Sequence, residues 1–76
     1  MHELVEYLAK GLVDNPDEVR VERVERDGAV VLELHVAADD VGKVIGRQGR
    51  TARALRTIVR ASGARSNERA LLEIVG

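Results

Sequence analysis

Val41-Gly42-Lys43-Val44-Ile45-Gly46-Arg47-Gln48-Gly49-Arg50 is the stretch on which the architecture turns. A short apolar segment runs into Gly46, two polar residues follow, then Gly49, and then an arginine-rich helical pattern. Two glycines three apart let the backbone turn sharply and lie bare. A bare turn at a helix N-terminus, flanked by cations, suits a phosphate chain. Read as scaffold only, Gly46 is a helix C-cap and Gly49 a loop glycine. Three coincidences favour the functional reading: helical patterns on both sides, Val44-Ile45 just upstream, and bases flanking both glycines. Other phosphate loops fit poorly, since neither G-x-x-x-x-G-K-[ST] nor G-x-G-x-x-G after a strand is present.

Upstream of the turn, Asp39 or Asp40 is placed to N-cap a short helix over about 40–45. Downstream, a second helix runs to about Ser62, with Gly63 as its stop. On a helical wheel Ala52, Leu55, Ile58, Val59 and Ser62 cluster on one side. Arg53, Arg56 and Arg60 are expected nearly opposite, with Arg50 beside them. A polar loop over 64–68 leads to a strand over about 69–75 that holds Leu71, Leu72, Ile74 and Val75.

Toward the N-terminus, Val30, Leu32, Leu34 and Val36 alternate on one face of a strand over about 29–37. Asp27-Gly28 is a two-residue hairpin signal. The preceding strand, about 18–26, carries Val19 and Val21 in one register, and Val24 breaks it. That break predicts a bulge or a strong twist near Glu22-Arg23. Leu4, Val5, Leu8, Ala9 and Leu12 recur at helical spacing over about 2–13, and Asn15-Pro16 ends that helix. The order is α-β-β-α-α-β, an α+β fold. The helical crossover allows the third strand to lie parallel to the second, which makes a three-stranded mixed sheet covered on one face by three helices. Val31 and Leu71 or Leu72 are expected on the open sheet face.

Net charge is −1, but its distribution is uneven. Residues 1–38 hold four bases against nine acids; residues 39–65 hold seven bases against Asp39 and Asp40. A near-neutral total therefore hides a basic segment, and local potential governs polyanion binding. Tyr7 is the only aromatic residue. That counts against modules that stack bases on aromatic platforms. A nucleic-acid site here would work by backbone, charge and aliphatic contact. Lys43, Arg47, Arg50 and Arg53 would supply charge, and Gln48 neutral hydrogen bonds. Gly46 and Gly49 would supply room, and Val44 and Ile45 an aliphatic floor under the bases.

With no cysteine, neither a disulfide framework nor a cysteine-based metal site is available, which fits a reducing compartment. There is no paired histidine and no Ser/His/Asp spacing, so no catalytic residue, metal ligand or cofactor is expected. His35 alternates with Glu33, which fits an exposed or cross-strand role; Asp39-Asp40 fit a helix cap better than a metal. No basic n-region with a long apolar run opens the chain, and nothing approaches the ~18 apolar residues of a membrane span. The chain is expected to be cytoplasmic.

Val44-Ile45-Gly46-Arg47-Gln48-Gly49 matches the I-G-x-x-G core of KH domains, and the element order is that of their type II form. With Val13-Asp14-Asn15-Pro16, the Asp40–Ala52 run and Arg56-Thr57-Ile58-Val59, the whole chain resembles the KhpA family of small bacterial KH proteins. The resemblance implies a single KH domain over 1–76, with the loop-bearing core at about 29–75. It implies binding of about four nucleotides of single-stranded RNA through Gly46, Arg47, Gln48 and Gly49, and a chaperone-like role. It also implies self-association, or pairing with a KhpB-type RNA-binding partner in control of cell-wall synthesis and cell shape. The competing reading is a protein-interaction module whose KH fold does not bind RNA.

Overall fold

The computed structural model describes residues 1–76. Its elements are α1 (His2–Lys10), β1 (Arg20–Arg26), β2 (Ala29–His35), α2 (Val41–Ile45), α3 (Arg50–Arg65) and β3 (Ala70–Val75). Single 3-10 turns lie at Pro16–Glu18, Ala38–Asp40 and Arg47–Gly49. The sheet order is β1-β2-β3, antiparallel between the first two strands and parallel between the last two. This is the mixed sheet expected from the hairpin signal and a helical crossover that allows a parallel third strand.

Alternation in the central strand decides which face is covered. Val30, Leu32 and Leu34 join Val5 and Ala9 of α1, Val44 of α2, Leu55 and Val59 of α3, and Leu72 of β3 in one core. All three helices therefore sit on the same sheet face. Leu32 and Leu34 are at most 1% exposed. Burial of each contributes roughly 2 kcal/mol.

Four local expectations need correction. First, α1 stops at Lys10, not near residue 13, and is closed by the Gly11 N–H to the Tyr7 carbonyl and the Leu12 N–H to the Ala9 carbonyl. Glycine is a poor helix former, and the amides of Asp14 and Asn15 are engaged elsewhere. Second, β1 has no bulge, since Arg20 to Arg26 pair one-to-one with His35 to Ala29. Val24 instead occupies the open face, opposite Val31, which in turn pairs with Leu71. Leu72 belongs to the core.

Third, Gly63 lies inside α3 rather than at its end. A β-carbon there would stand 2.6 Å from the Ala70 Cβ and 2.8 Å from the Glu68 carbonyl oxygen. The glycine lets α3 approach the start of β3. Fourth, the stripe of Arg53, Arg56 and Arg60 is not opposite the core. The buried residues of α3 are Ala52, Leu55, Val59 and Gly63. At ~100° per residue, the arginines fall about a quarter-turn from that stripe, along one flank of the helix.

Candidate nucleic-acid interface

The turn between α2 and α3 has a backbone that its sequence makes possible. Gly46 has φ 77° and ψ 172°, a conformation open in practice to glycine alone. Its N–H donates to the Gly42 carbonyl at 2.9 Å and so closes α2. A β-carbon on Gly46 would overlap the Thr51 hydroxyl, with 2.7 Å to the Thr51 Cβ. Gly49 is left-handed at φ 74°, and no atom lies within 4 Å of a β-carbon built on it. The first glycine is thus required by packing and backbone together, and the second by backbone alone, with open space in front of it.

Between them, Arg47 and Gln48 are exposed. Gln48 also takes a left-handed conformation, φ 58° and ψ 24°. Arg50 Nη2 donates to its Oε1 at 3.0 Å, which staples the turn to the first residue of α3. The Gly49 N–H donates to the Gly46 carbonyl at 3.1 Å. Of the four amides, that of Gly46 closes α2 and that of Gly49 closes the turn, and those of Arg47 and Gln48 are not used by these bonds. No side chain caps the N-terminus of α3, so the positive end of its dipole is left to a ligand or to water.

The upstream residues divide differently from the sequence expectation. Val44 is 0% exposed and belongs to the core, so it anchors α2 and cannot form a floor for bases. Its place on the inner face of a five-residue helix leaves Ile45, half-buried, as the aliphatic surface beside Gly46. Lys43 is exposed along its length, but its ammonium is committed. Its Nζ lies 2.7 Å from Asp14 Oδ2 and 3.5 Å from Asp40 Oδ1.

Asp40 is the residue that sequence reasoning misread. It is 0% exposed; it stands at the N-cap position of α2 as expected, but its side chain makes no capping hydrogen bond. Its carboxylate accepts hydrogen bonds from the amides of Asp14 at 3.2 Å and Asn15 at 3.0 Å, and from Asn15 Nδ2 at 3.0 Å. Burial pushes its pKa up, but the bonds from Asn15 and Asp14 and the charge of Lys43 outweigh burial and hold it below the ordinary aspartate range. The Lys43 ammonium is correspondingly held above its ordinary range, first by the bond to Asp14. Asp40 thereby ties the loop after α1 to the start of α2. The only advance signal is the spacing Asp40-x-x-Lys43, which puts the pair on one helix face.

Downstream, Arg53, Arg56 and Arg60 are exposed on one flank of α3. Arg60, with Glu68, Arg69, Ala70 and Leu71, lines a depression beside β3. The other flank faces α1, where Ser62, Arg65 and Leu4 line a second depression. The arginine flank therefore looks toward the outer edge of β3. Hydrogen bonds from Val30 N–H to the Arg69 carbonyl and from Val36 N–H to the Val75 carbonyl fix the ladder parity. Bonded residues alternate in a parallel ladder, so the backbone groups of Ala70, Leu72 and Ile74 point to that free edge. Unpaired strand backbone thus borders the depression that Arg60 and Arg69 line. None of Arg47, Arg50, Arg53, Arg56, Arg60, Arg65 or Arg69 has an acidic partner.

Residues 2–74 match the family described as KhpA/KhpB, KH domain. An RNA-binding protein KhpA from Clostridium acetobutylicum is 49% identical over 75 residues, covering 99% of this chain and 100% of that one. The chain belongs to the KhpA/KhpB family of KH domains. Among other KhpA relatives, that of Aquifex aeolicus is 52% identical over 99% of this chain and 95% of its own. That of Treponema pallidum is 52% identical over 96% of this chain and 91% of its own. No solved structure matches the chain. The KhpA/KhpB family is not an enzyme class. The nearest grouping to a metal set is Glu22, Glu33 and His35, whose ligand atoms lie within 4.8 Å of one another on the open sheet face. Both glutamates are already paired, with Arg20 and Arg26, so the group serves cross-strand pairing. No helix is long and apolar enough to cross a membrane.

Proposed function

We propose that this chain is a single KH unit that binds single-stranded RNA with low sequence specificity. Gly46, Arg47, Gln48 and Gly49 receive the phosphate backbone, Arg50 and Arg53 add charge, and bases lie against Ile45 and the edge of β3. The observation that carries the reading is the run of arginines without acidic partners beside the glycine turn. Relatives that match nearly the whole chain are named RNA-binding protein KhpA, which supports it.

With one short groove and no base-stacking aromatic, affinity rests on charge and backbone contact, and a second module would raise it by avidity. A homodimer, or a pairing with a KhpB-type RNA-binding protein, fits that need. The role in the cell is that of a cytoplasmic RNA chaperone or post-transcriptional regulator, linked through such a partner to cell-wall synthesis and cell shape. A second reading, a protein-interaction module without RNA, draws on Leu4, Tyr7 and Leu12, which stand 46%, 75% and 40% exposed.

The test is titration of short single-stranded RNA into the protein and into Arg47→Asp/Gln48→Asp. The variant is expected to fold, because both side chains are exposed. Its affinity is expected to fall by on the order of a hundredfold at low salt, since two phosphate-facing groups become anionic. Equal affinity in the two proteins rejects the site. Recovery of protein partners but no RNA after crosslinking in cells favours the second reading.

A further inference from the structure

We propose that Asp14 sets the strength of the RNA site by occupying the ammonium of Lys43, so that a phosphate must displace it. The inference rests on the RNA-binding reading above. Lys43 stands three residues before Gly46, on the short helix that enters the glycine turn. Of the seven bases between residues 39 and 65, it alone has acidic partners. One cation of the basic segment is therefore neutralised in advance, by a loop on the far side of the chain.

The contact is built to be exchanged. Its side chains are 44% and 75% exposed for Lys43 and Asp14, so a ligand can reach it. Exposed ion pairs are weak, and a lysine ammonium on a flexible stem re-aims readily. Asp40 keeps its hydrogen bonds when Lys43 turns away, because the Asp14 and Asn15 amides and Asn15 Nδ2 still satisfy its buried carboxylate. The Asp14 carboxylate has no other partner and hydrates when released. Nothing buried is orphaned by the swap, and its cost appears only in RNA affinity.

Asp14→Asn separates this role from folding, since residue 14 bonds to Asp40 through its backbone N–H, which the substitution keeps. The probe is a short oligouridylate, titrated at several salt concentrations. Asp14→Asn is expected to bind roughly two- to fivefold more tightly. Its plot of log affinity against log salt is expected to steepen by about 0.7, one further phosphate contact to a single strand. Asp14→Asn/Lys43→Gln is expected to lose the whole gain. Asp17→Asn removes the same charge from a neighbour without an ion pair, and is expected to change affinity less.

A readout independent of RNA is the acylation rate of the Lys43 amine, followed by mass spectrometry. It is expected to rise in Asp14→Asn. An unchanged Asp14→Asn affinity, an equal gain in Asp17→Asn, a gain that survives Lys43→Gln, or an unchanged acylation rate each overturns the inference. Wild-type protein that binds no RNA overturns the site and the inference together. RNA binding that is lost in Arg47→Asp/Gln48→Asp but unaltered in Asp14→Asn overturns the inference alone.

Discussion

The arginines of the sheet and the arginines of α3 are the same residue put to opposite uses. On the sheet, Arg20 meets Glu22 at 2.9 Å, Arg23 meets Glu68 at 2.8 Å, and Arg26 reaches both Glu33 and Glu73. The strand register sets Glu22, Glu33 and Glu73 in one row across three strands. Like charges directly opposite are destabilising, and the arginines offset that row. Along α3 there is no acid to meet, because the sequence has none between Asp40 and Glu68. The net charge of −1 averages one population of arginines that cancels locally and another that keeps its field. Pairing, not total charge, marks where a polyanion can settle.

Three variants break or sharpen that contrast. The largest effect on stability is expected at Asp40, where the paired and basic regions meet. Asp40→Asn keeps the shape but leaves the Asp14 and Asn15 donors without a carboxylate. The folded carboxyl is more acidic than the unfolded one, so its stabilisation is complete at neutral pH. It is lost as pH falls below the ordinary value of 3.8 toward the lower folded one. Lys43 has the opposite sign: its contribution is complete below the ordinary 10.5 and is lost as pH rises through the higher folded value. Urea melts across pH should show Asp40→Asn less stable at neutrality and less sensitive to acid than the wild type. An unchanged acid limb would refute the assignment.

The next effect is expected on binding alone. Arg56→Gln/Arg60→Gln removes two arginines without acidic partners from the flank of α3. RNA affinity should fall roughly tenfold at low salt, and the salt slope should flatten by about 1.4. Stability should stay within about 0.5 kcal/mol, which thermal melts can check. The smallest effect belongs to the sheet. Arg26→Gln should cost about 1 kcal/mol or less, because its pairs are exposed, with RNA affinity unchanged. A clear loss of affinity in Arg26→Gln would erase the distinction between the two populations.

The glycine turn was legible in advance because its cause is local. Gly46-Arg47-Gln48-Gly49 needs positive φ at both ends, and only glycine supplies the conformation that Gly46 adopts. The misreadings share another cause. Val24 reads along the chain as the mark of a bulge or a twist, whereas it keeps an unbroken register on the open face opposite Val31, which pairs with Leu71. Gly63 looked like a helix stop because nothing in its neighbours announces the Ala70 methyl packed against it. Val44 and Ile45 looked alike as an aliphatic pair, yet the helix turns one into the core and leaves the other at the rim.

The sequence by itself determined the element order, the central strand's buried face, the glycine turn and a basic segment free of acids. These follow from periodicity, turn chemistry and composition, which act over a few residues. Only the tertiary structure decided which cations are spent and which are free. It alone brought Asp40 and Lys43 against Asp14, 25 or more residues away along the chain, and turned the arginine flank toward the edge of β3. Charge pairing depends on distance in space, and a linear pattern holds no record of which distant segments fold to within a few ångströms of one another.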